Sequence, residues 1–569
     1  MAEYLSPGVY VEEYDNSPRS IAGVGTSAAG FVGLAEKGTV TGAPTLVTNF
    51  AVFKRLFGGF LSEYTHEEYR YLAYAVEQFF ANGGTRCYVS RVIPEDAVRA
   101  ALETEVLNFT AANEGKWGNR IQVSFTTVTK RKMQLLEKTG DATYVAKSVE
   151  GFKEGDLVKA GEEYNRIQMI YDNTITFENA FAEDVVDNNV VASVFVYLVE
   201  TDVLVRYNDD AEVYNGVSFN PAASNYIVSK MEKSELVKVT AKASFEEIKN
   251  PIAAILGEDK INGTVILSGG SDGSISKVNA GTFIGEDNGP GQRTGIQAFV
   301  ENNAISMIAV PGVTIPEVVV SLVGHCENMK NRIAVLDMPE EMAKTKELIE
   351  YRGMIDSTYA AMYHPWIQIY DRAAKKPGFI PPSGAVMGIY ARTDITRGVH
   401  KAPANEPIYC TGLKVNYTKS EQDILNPEGI NLIRQIPGQG IRVWGARTAS
   451  SNSTFRYINV RRLFIYIEES IKANTNWVVF EPNDTTLWTR VNLTVSTFLD
   501  NLWRNGMLAG STPSEGYFVE IGSNTMTKDD IMNGRLICNI GIAPIRPAEF
   551  VIFRISQLTA EAGGGETQE

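Results

Sequence analysis

Apolar residues near the end of the chain recur at three- and four-residue steps: Val460, Leu463, Phe464, Ile467 and Ile471. That spacing places them on one face of an α-helix over 459–472. Arg461, Arg462, Glu468, Glu469 and Lys472 fall on the opposite face, which is predicted to be polar and exposed. Asp484 is placed to cap a second helix, where Leu487, Val491, Val495, Phe498 and Leu502 form a stripe that Gly506 ends. A strand over 517–521, a short helix over 527–533 closed by Gly534, and an alternating run over 535–543 complete a small α+β unit. Pro544 and Pro547 then break the chain. One run is left over, Phe550-Val551-Ile552-Phe553-Arg554-Ile555. It is apolar on both faces and needs a partner, which need not belong to the same molecule.

Upstream the period changes. Residues 30–35 read as a buried strand, 69–80 as a helix with Leu72, Val76, Phe79 and Phe80 on its apolar side, and 87–92 as a second strand. This is a β–α–β layout. Residues 305–310 form a buried strand of the parallel type. Thr314-Ile315-Pro316-Glu317 fits a capping box with proline in the first turn. A strand over 332–336 follows, then Asp337-Met338-Pro339-Glu340 is expected to open a helix through Ile349, and 366–370 is a third strand. Two β–α units in succession predict a small doubly wound layer. Between these parts, 115–262 holds short alternating runs (121–128, 164–171, 191–199) separated by turns rich in Gly, Asp and Asn. It reads as a β-rich insertion of one or two modules. At the start of the chain, Val9-Tyr10-Val11-Glu12-Glu13 alternates like a strand between Ser6-Pro7-Gly8 and Pro18. A lone strand of that length must join a sheet, either at the edge of its own domain or elsewhere.

With 569 residues the chain exceeds one core, and the expected fold is α/β, mixed with α+β, in several domains. The expected division is an extended arm at 1–20, a first core part at 21–114 and the insertion at 115–262. A second core part at 263–403, an α+β unit at 404–548 and a strand arm with an acidic tail at 549–569 complete it. The net charge of −15 and the pI near 5.1 argue against a nucleic-acid partner, which needs a basic face to meet phosphates. Residues 130–262 carry 15 Lys and Arg against 23 Asp and Glu, so about half the excess is the solvated surface of the insertion. Cys87, Cys326, Cys410 and Cys538 lie far apart and read as reduced residues of a protein made in a cytosol. The start lacks a basic segment of the secretory kind, and the longest apolar run, 190–199, is about half of what a membrane crossing needs. No membrane insertion is expected.

The search for chemistry returns little. Gly269-Gly270-Ser271-Asp272-Gly273 matches the G-x-S-x-G pattern of a hydrolase nucleophile, but the Gly-rich stretch that follows offers no helix to seat the elbow. No phosphate-cradling motif fits. The histidines, His66, His325, His364 and His400, have no zinc-like spacing, and His325-Cys326 is expected to be an inert helical pair. Neither a catalytic residue nor a metal or cofactor site is expected. A hydrolase using Ser271 and a monomeric surface adhesin remain the alternatives to a structural role.

Several stretches together resemble contractile tail sheath proteins of bacteriophages and related bacterial injection devices. They are Tyr4-Leu5-Ser6-Pro7-Gly8-Val9-Tyr10-Val11-Glu12-Glu13, Phe79-Phe80 with Asn82-Gly83-Gly84 and Arg86-Cys87-Tyr88-Val89, and Pro381-Pro382-Ser383-Gly384 with Thr396-Arg397-Gly398-Val399. Asn426-Pro427 with Gly429-Ile430-Asn431, Val443-Trp444-Gly445-Ala446-Arg447-Thr448 and Asn459-Val460-Arg461-Arg462 complete the set. The likeness spans nearly the whole chain except 115–262, where sheath proteins carry variable insertions. It implies a virion-tail or injection-particle subunit, assembled in the bacterial cytoplasm. Copies would stack as rings around an inner tail tube, joined by baseplate and tail terminator proteins, and contract to drive the tube through an envelope. It also implies that the α+β unit faces the tube, with Arg461, Arg462 and Lys472 as candidates. Val9, Tyr10, Val11 and Glu12 at one end, and Phe550, Val551, Ile552, Phe553 and Arg554 at the other, would be strands given to neighbouring subunits.

Overall fold

Ala29–Leu34 is buried at every position. A strand with no polar face needs cover on both sides, which is the situation of a parallel sheet between helical layers. The computed structural model describes residues 21–182, 194–242, 248–257 and 260–554 and puts this strand inside a nine-stranded sheet. It runs parallel to Cys87–Val92, in the register Ala29 opposite Cys87 through Leu34 opposite Val92, and on its other side to Met307–Ala309. Parallel pairing continues through Ile333–Asp337, Ala360–His364 and Ile430–Ile436. Antiparallel strands close both ends: Thr45–Val47 at one, Gly440–Val443 and then Glu406–Pro407 at the other. The chain winds outward from Ala29–Leu34 in one direction before the insertion and in the other after it, so the layer is doubly wound. The expected N-terminal strand at Val9, Tyr10, Val11 and Glu12 lies outside the described residues, as does Ile555.

Helices Leu72–Ala81 and Ser383–Arg397 pack into the core on one side of the sheet, and Pro316–Met329 and Thr345–Arg352 into the core on the other. The first pair touch closely because of glycine. A Cβ on Gly384 would lie 2.3 Å from the Ala75 carbonyl oxygen, and one on Gly388 2.4 Å from that of Phe79. Backbone atoms cannot give way as a flexible side chain can, so alanine at either position would force the helices apart.

Three local expectations are corrected. Pro316 does take the first helical position, but the residue before it, Ile315, caps with no side-chain bond, and Thr314 plays no capping part. Asp337 does not open a helix: it ends the strand Ile333–Asp337, and the next helix begins at Thr345. Its carboxylate instead accepts the Gly312 and Ser383 N–H groups and the Ser383 hydroxyl. Ile367–Asp371 is a strand, but it belongs to a separate antiparallel sheet with Lys376–Ile380 and Gly412–Leu413. The strand that continues the parallel layer is Ala360–His364, whose two alanines blur its pattern.

The insertion is wider than 115–262. Bridges pair Val98 with Ser271 and Ala101 with Ser268, and Ala101–Glu103 and Leu107–Ala111 form a sheet with Val237–Ala241. That sheet encloses a core around Phe109, Trp117, Phe125 and Val203 with a second one, ordered Asp210–Val217, Glu200–Tyr207, Gln122–Val128 and Asn262–Ile266. A distinct closed barrel of six strands, from Lys132–Lys138 to Phe195–Leu198, has its own core. Buried Arg91 ties insertion to core by donating to the carbonyls of Ala35, Glu36, Gly38 and Glu114. The boundary expected at 404 also moves. Strands up to Val443 complete the central sheet, and Ala449 still packs in its core, so the α+β unit starts after that residue.

Candidate assembly surface

The α+β unit follows its sequence pattern closely. Asp484 accepts the Leu487 N–H at 2.8 Å and caps Thr485–Arg504, whose Leu487, Val491, Val495, Phe498 and Leu502 are all buried. Strands Tyr517–Ile521 and Cys538–Ile542 pair antiparallel, with Tyr517 opposite Ile542. The link between them holds helix Lys528–Met532, capped reciprocally by Thr527 and Asp530. Val519, Ile521, Ile540 and Ile542 pack on the helices of the unit. Among the described residues neither strand pairs with a third strand, although Asn492 Nδ2 donates to the Val519 carbonyl and Leu508 bridges Pro544 just past the second strand, so this two-stranded sheet keeps two outer edges. Such edges carry unpaired N–H and C=O groups ready to accept another strand.

The run after Pro547 is uncovered. Phe550, Val551, Ile552 and Phe553 are 72%, 68%, 76% and 85% exposed, Arg554 is exposed too, and no strand forms there. The residue before the run is held firmly. Arg447 grips the Glu549 carboxylate through Nε at 2.9 Å and Nη2 at 2.7 Å, Asn426 Nδ2 donates at 2.7 Å and the Tyr457 hydroxyl at 2.9 Å. Burial pushes this carboxyl up, but the hydrogen bonds from Arg447, Asn426 and Tyr457 outweigh it and leave the group below its ordinary value. Glu549 thus stays ionised, and the clasp stays closed, at neutral pH.

Helix Ile458–Asn474 corrects the expected exposed arginines. Arg462 is buried and binds Asp394 in a bidentate pair, at 2.8 and 2.6 Å, under the ring of Tyr390. Arg461 is also buried, with its guanidinium 3.6 Å from the centre of the Phe455 ring and 4.5 Å from that of Tyr359. Neither can present its charge to a tube. The cause is that this helix lies between two cores, with Ile458 in that of the central sheet and Leu463 and Ile467 in that of the α+β unit. Sequence periodicity shows one apolar stripe and cannot show that the opposite face meets a buried carboxylate on another helix. Of the three candidates Lys472 alone is exposed, where it pairs with Glu469 at 3.2 Å.

The remaining candidates for chemistry are separate. Ser271 is in a bridge to Val98, and its hydroxyl oxygen accepts the Gly273 N–H. His325 sits on buried Arg332, and burial together with that cation lowers its pKa to about 4, while burial pushes the adjacent Cys326 thiol up to about 12. The pair is inert. No group of three or more metal-ligating residues occurs among the described residues, and no helix there is long and apolar enough to cross a membrane.

The phage tail sheath protein central domain family matches residues 288–449, and the phage tail sheath C-terminal domain family matches residues 450–557. Their junction falls where the central sheet ends and the α+β unit begins. Residues 288–557 belong to the phage tail sheath family. A prophage major tail sheath protein of Pseudomonas aeruginosa is 23% identical over 309 residues, 52% of this chain and 78% of that one. The tail sheath protein of Salmonella phage ViI is 25% identical over 246 residues, which span 39% of this chain and 38% of the relative's length. Among solved structures, the contracted sheath complex of an extracellular contractile injection system, PVC, shares the fold with a TM-score of 0.53 and 22% identity, over 99% of this chain and 100% of its own. With these two domains the chain is a structural subunit of a tail sheath.

Proposed function

We propose that copies of this chain assemble in the bacterial cytoplasm as stacked rings around an inner tail tube, between baseplate and terminator proteins. Contraction of the stack then drives the tube through a target envelope. The chain acts mechanically and catalyses no reaction. One observation carries this reading: a two-stranded sheet with two outer edges and an uncovered apolar run stand in the same chain. The run of one copy, Phe550 to Arg554, supplies what the sheet of another lacks, by strand addition. Val9 to Glu12 is the second donated strand. Lys472 and the outward residues of helix Thr485–Arg504, such as Arg490, form the tube-facing side in place of Arg461 and Arg462. Electron microscopy of the concentrated protein tests the assembly. Long tubes or stacked rings are expected, whereas a monodisperse monomer at every concentration would favour the adhesin alternative.

A further inference from the structure

One helix holds both ends of the described chain. At its start, its capping residue Tyr457 donates to Glu549, as above, and Asn459 Nδ2 donates to the Ile545 carbonyl at 3.1 Å. Further along, the segment following Ile21 lies against the same helix. Arg462 Nη2 donates to the Thr26 carbonyl at 2.9 Å and Val24 N–H to Ser470 Oγ at 3.1 Å. At the far end Asn474 exchanges two bonds with the Ala22 backbone, at 3.4 and 2.9 Å. The approach is close: a Cβ at Gly23 would lie 2.1 Å from the Tyr466 hydroxyl oxygen, so that ring would have to move to admit one. The helix has 17 residues, so at 1.5 Å per residue the two roots leave it about 25 Å apart. In its second turn the Arg462–Asp394 pair fastens the helix to Ser383–Arg397 of the core.

We propose that helix Ile458–Asn474 is the positioning element for both terminal arms. It sets where residues before Ile21 and after Glu549 depart from the subunit, and the Glu549 clasp defines Phe550 as the first free residue of the C-terminal strand. This rests on the donated-strand reading above. A strand added to a neighbour's sheet pulls on its root, and a rigid rod with one root at each end fixes the spacing between the two neighbours so joined. The clasp also gives a purpose to Asn426 and Arg447, which both donate to Glu549 Oε1.

The test uses the full-length chain with three changes: Glu549→Gln, the pair Ser470→Ala with Asn474→Ala, and truncation of 550–569. Proteases need several residues of free chain around the scissile bond, so cleavage reports on each root. Glu549→Gln is expected to speed chymotrypsin cleavage after Phe550 at least fivefold and to leave trypsin cleavage after Arg19 unchanged. The Ser470 and Asn474 pair should do the reverse. Each is expected to shorten tubes without moving the melting midpoint of the subunit. Should Glu549→Gln lower that midpoint, Tyr457→Phe, which removes one hydroxyl, carries the same measurement. Unchanged cleavage at the loosened root overturns the proposal. So do full-length tubes from the loosened variants when the truncated chain builds none. Normal tubes from the truncated chain instead overturn the donated-strand reading beneath it.

Discussion

At the scale of single residues, the molecule's stability depends on charges that have left water. Arg462 and Asp394 keep 3% and 4% of their side-chain surface, and each is the other's counter-ion. Removing one partner of such a pair strands the other, at a cost of about 3–5 kcal/mol, whereas replacing both by apolar groups is often near neutral. Arg462→Met is thus expected to destabilise by about that amount in urea unfolding, and Arg462→Met with Asp394→Leu to recover most of it. Asp337 is a buried carboxylate of another kind, held by hydrogen bonds from Gly312 and Ser383 in place of a cation. Burial pushes it up to about 6, against the pull of Ser383 and Gly312. A folded-state pKa above the ordinary 3.8 means the native state prefers the proton. The stability this gives is full below about pH 4 and is lost as pH rises through about 6. Asn at this position stays neutral throughout. The stability of Asp337→Asn relative to the parent chain should thus rise by about 2 kcal/mol between pH 4 and pH 7, whatever the constant offset. A flat difference would mean that the carboxyl is not perturbed.

At the scale of elements, the sequence is most readable where burial is one-sided. The stripe of Thr485–Arg504 and the short helix Lys528–Met532 come out as expected, because each is decided within a few residues. Ser383–Arg397 could not be read this way, since it is buried nearly all round and shows no clean polar face. Its meaning lies in Gly384 and Gly388, whose neighbours are about 300 residues away in sequence. The insertion shows the same limit: alternation reveals strands but not which of them pair. Deleting 115–262, the span that composition suggests, would remove Val237–Ala241 and leave the strand holding Leu107, Phe109 and Ala111 paired on one side only. The six-stranded barrel is a better unit to remove, because Val128 and Glu200 on either side of it already face each other in neighbouring antiparallel strands. Replacing 129–199 with Asn-Gly closes those strands with a two-residue hairpin. That chain is expected to be soluble and to build tubes, and the 115–262 deletion to be insoluble. Comparing soluble yield and negative-stain images of the two decides it.

At the scale of the whole molecule, the question is what one donated strand contributes to a lattice. Covering the four apolar side chains of Phe550 to Phe553 stabilises by about 1.5–3 kcal/mol each. Ordering the backbone of the run costs about 1–2 kcal/mol per residue, so the two terms are of similar size and ladder hydrogen bonds leave only a modest net gain. A joint of that strength would be reversible alone and secure only when repeated, which suits the proposed lattice of donated strands. The run is uncovered in the single subunit, so its loss should not alter folding. Truncating 550–569 is expected to leave the melting midpoint unchanged and to abolish long tubes, and deleting 1–20 to do the same. A smaller change gives a sharper readout. Phe553→Ala removes about 2 kcal/mol of burial from each joint, which corresponds to roughly a thirtyfold rise in the concentration at which tubes first form. Sedimenting tubes across a dilution series measures that threshold. A threshold equal to that of the parent chain would show that Phe553 is not covered on assembly, and that the run has some other partner.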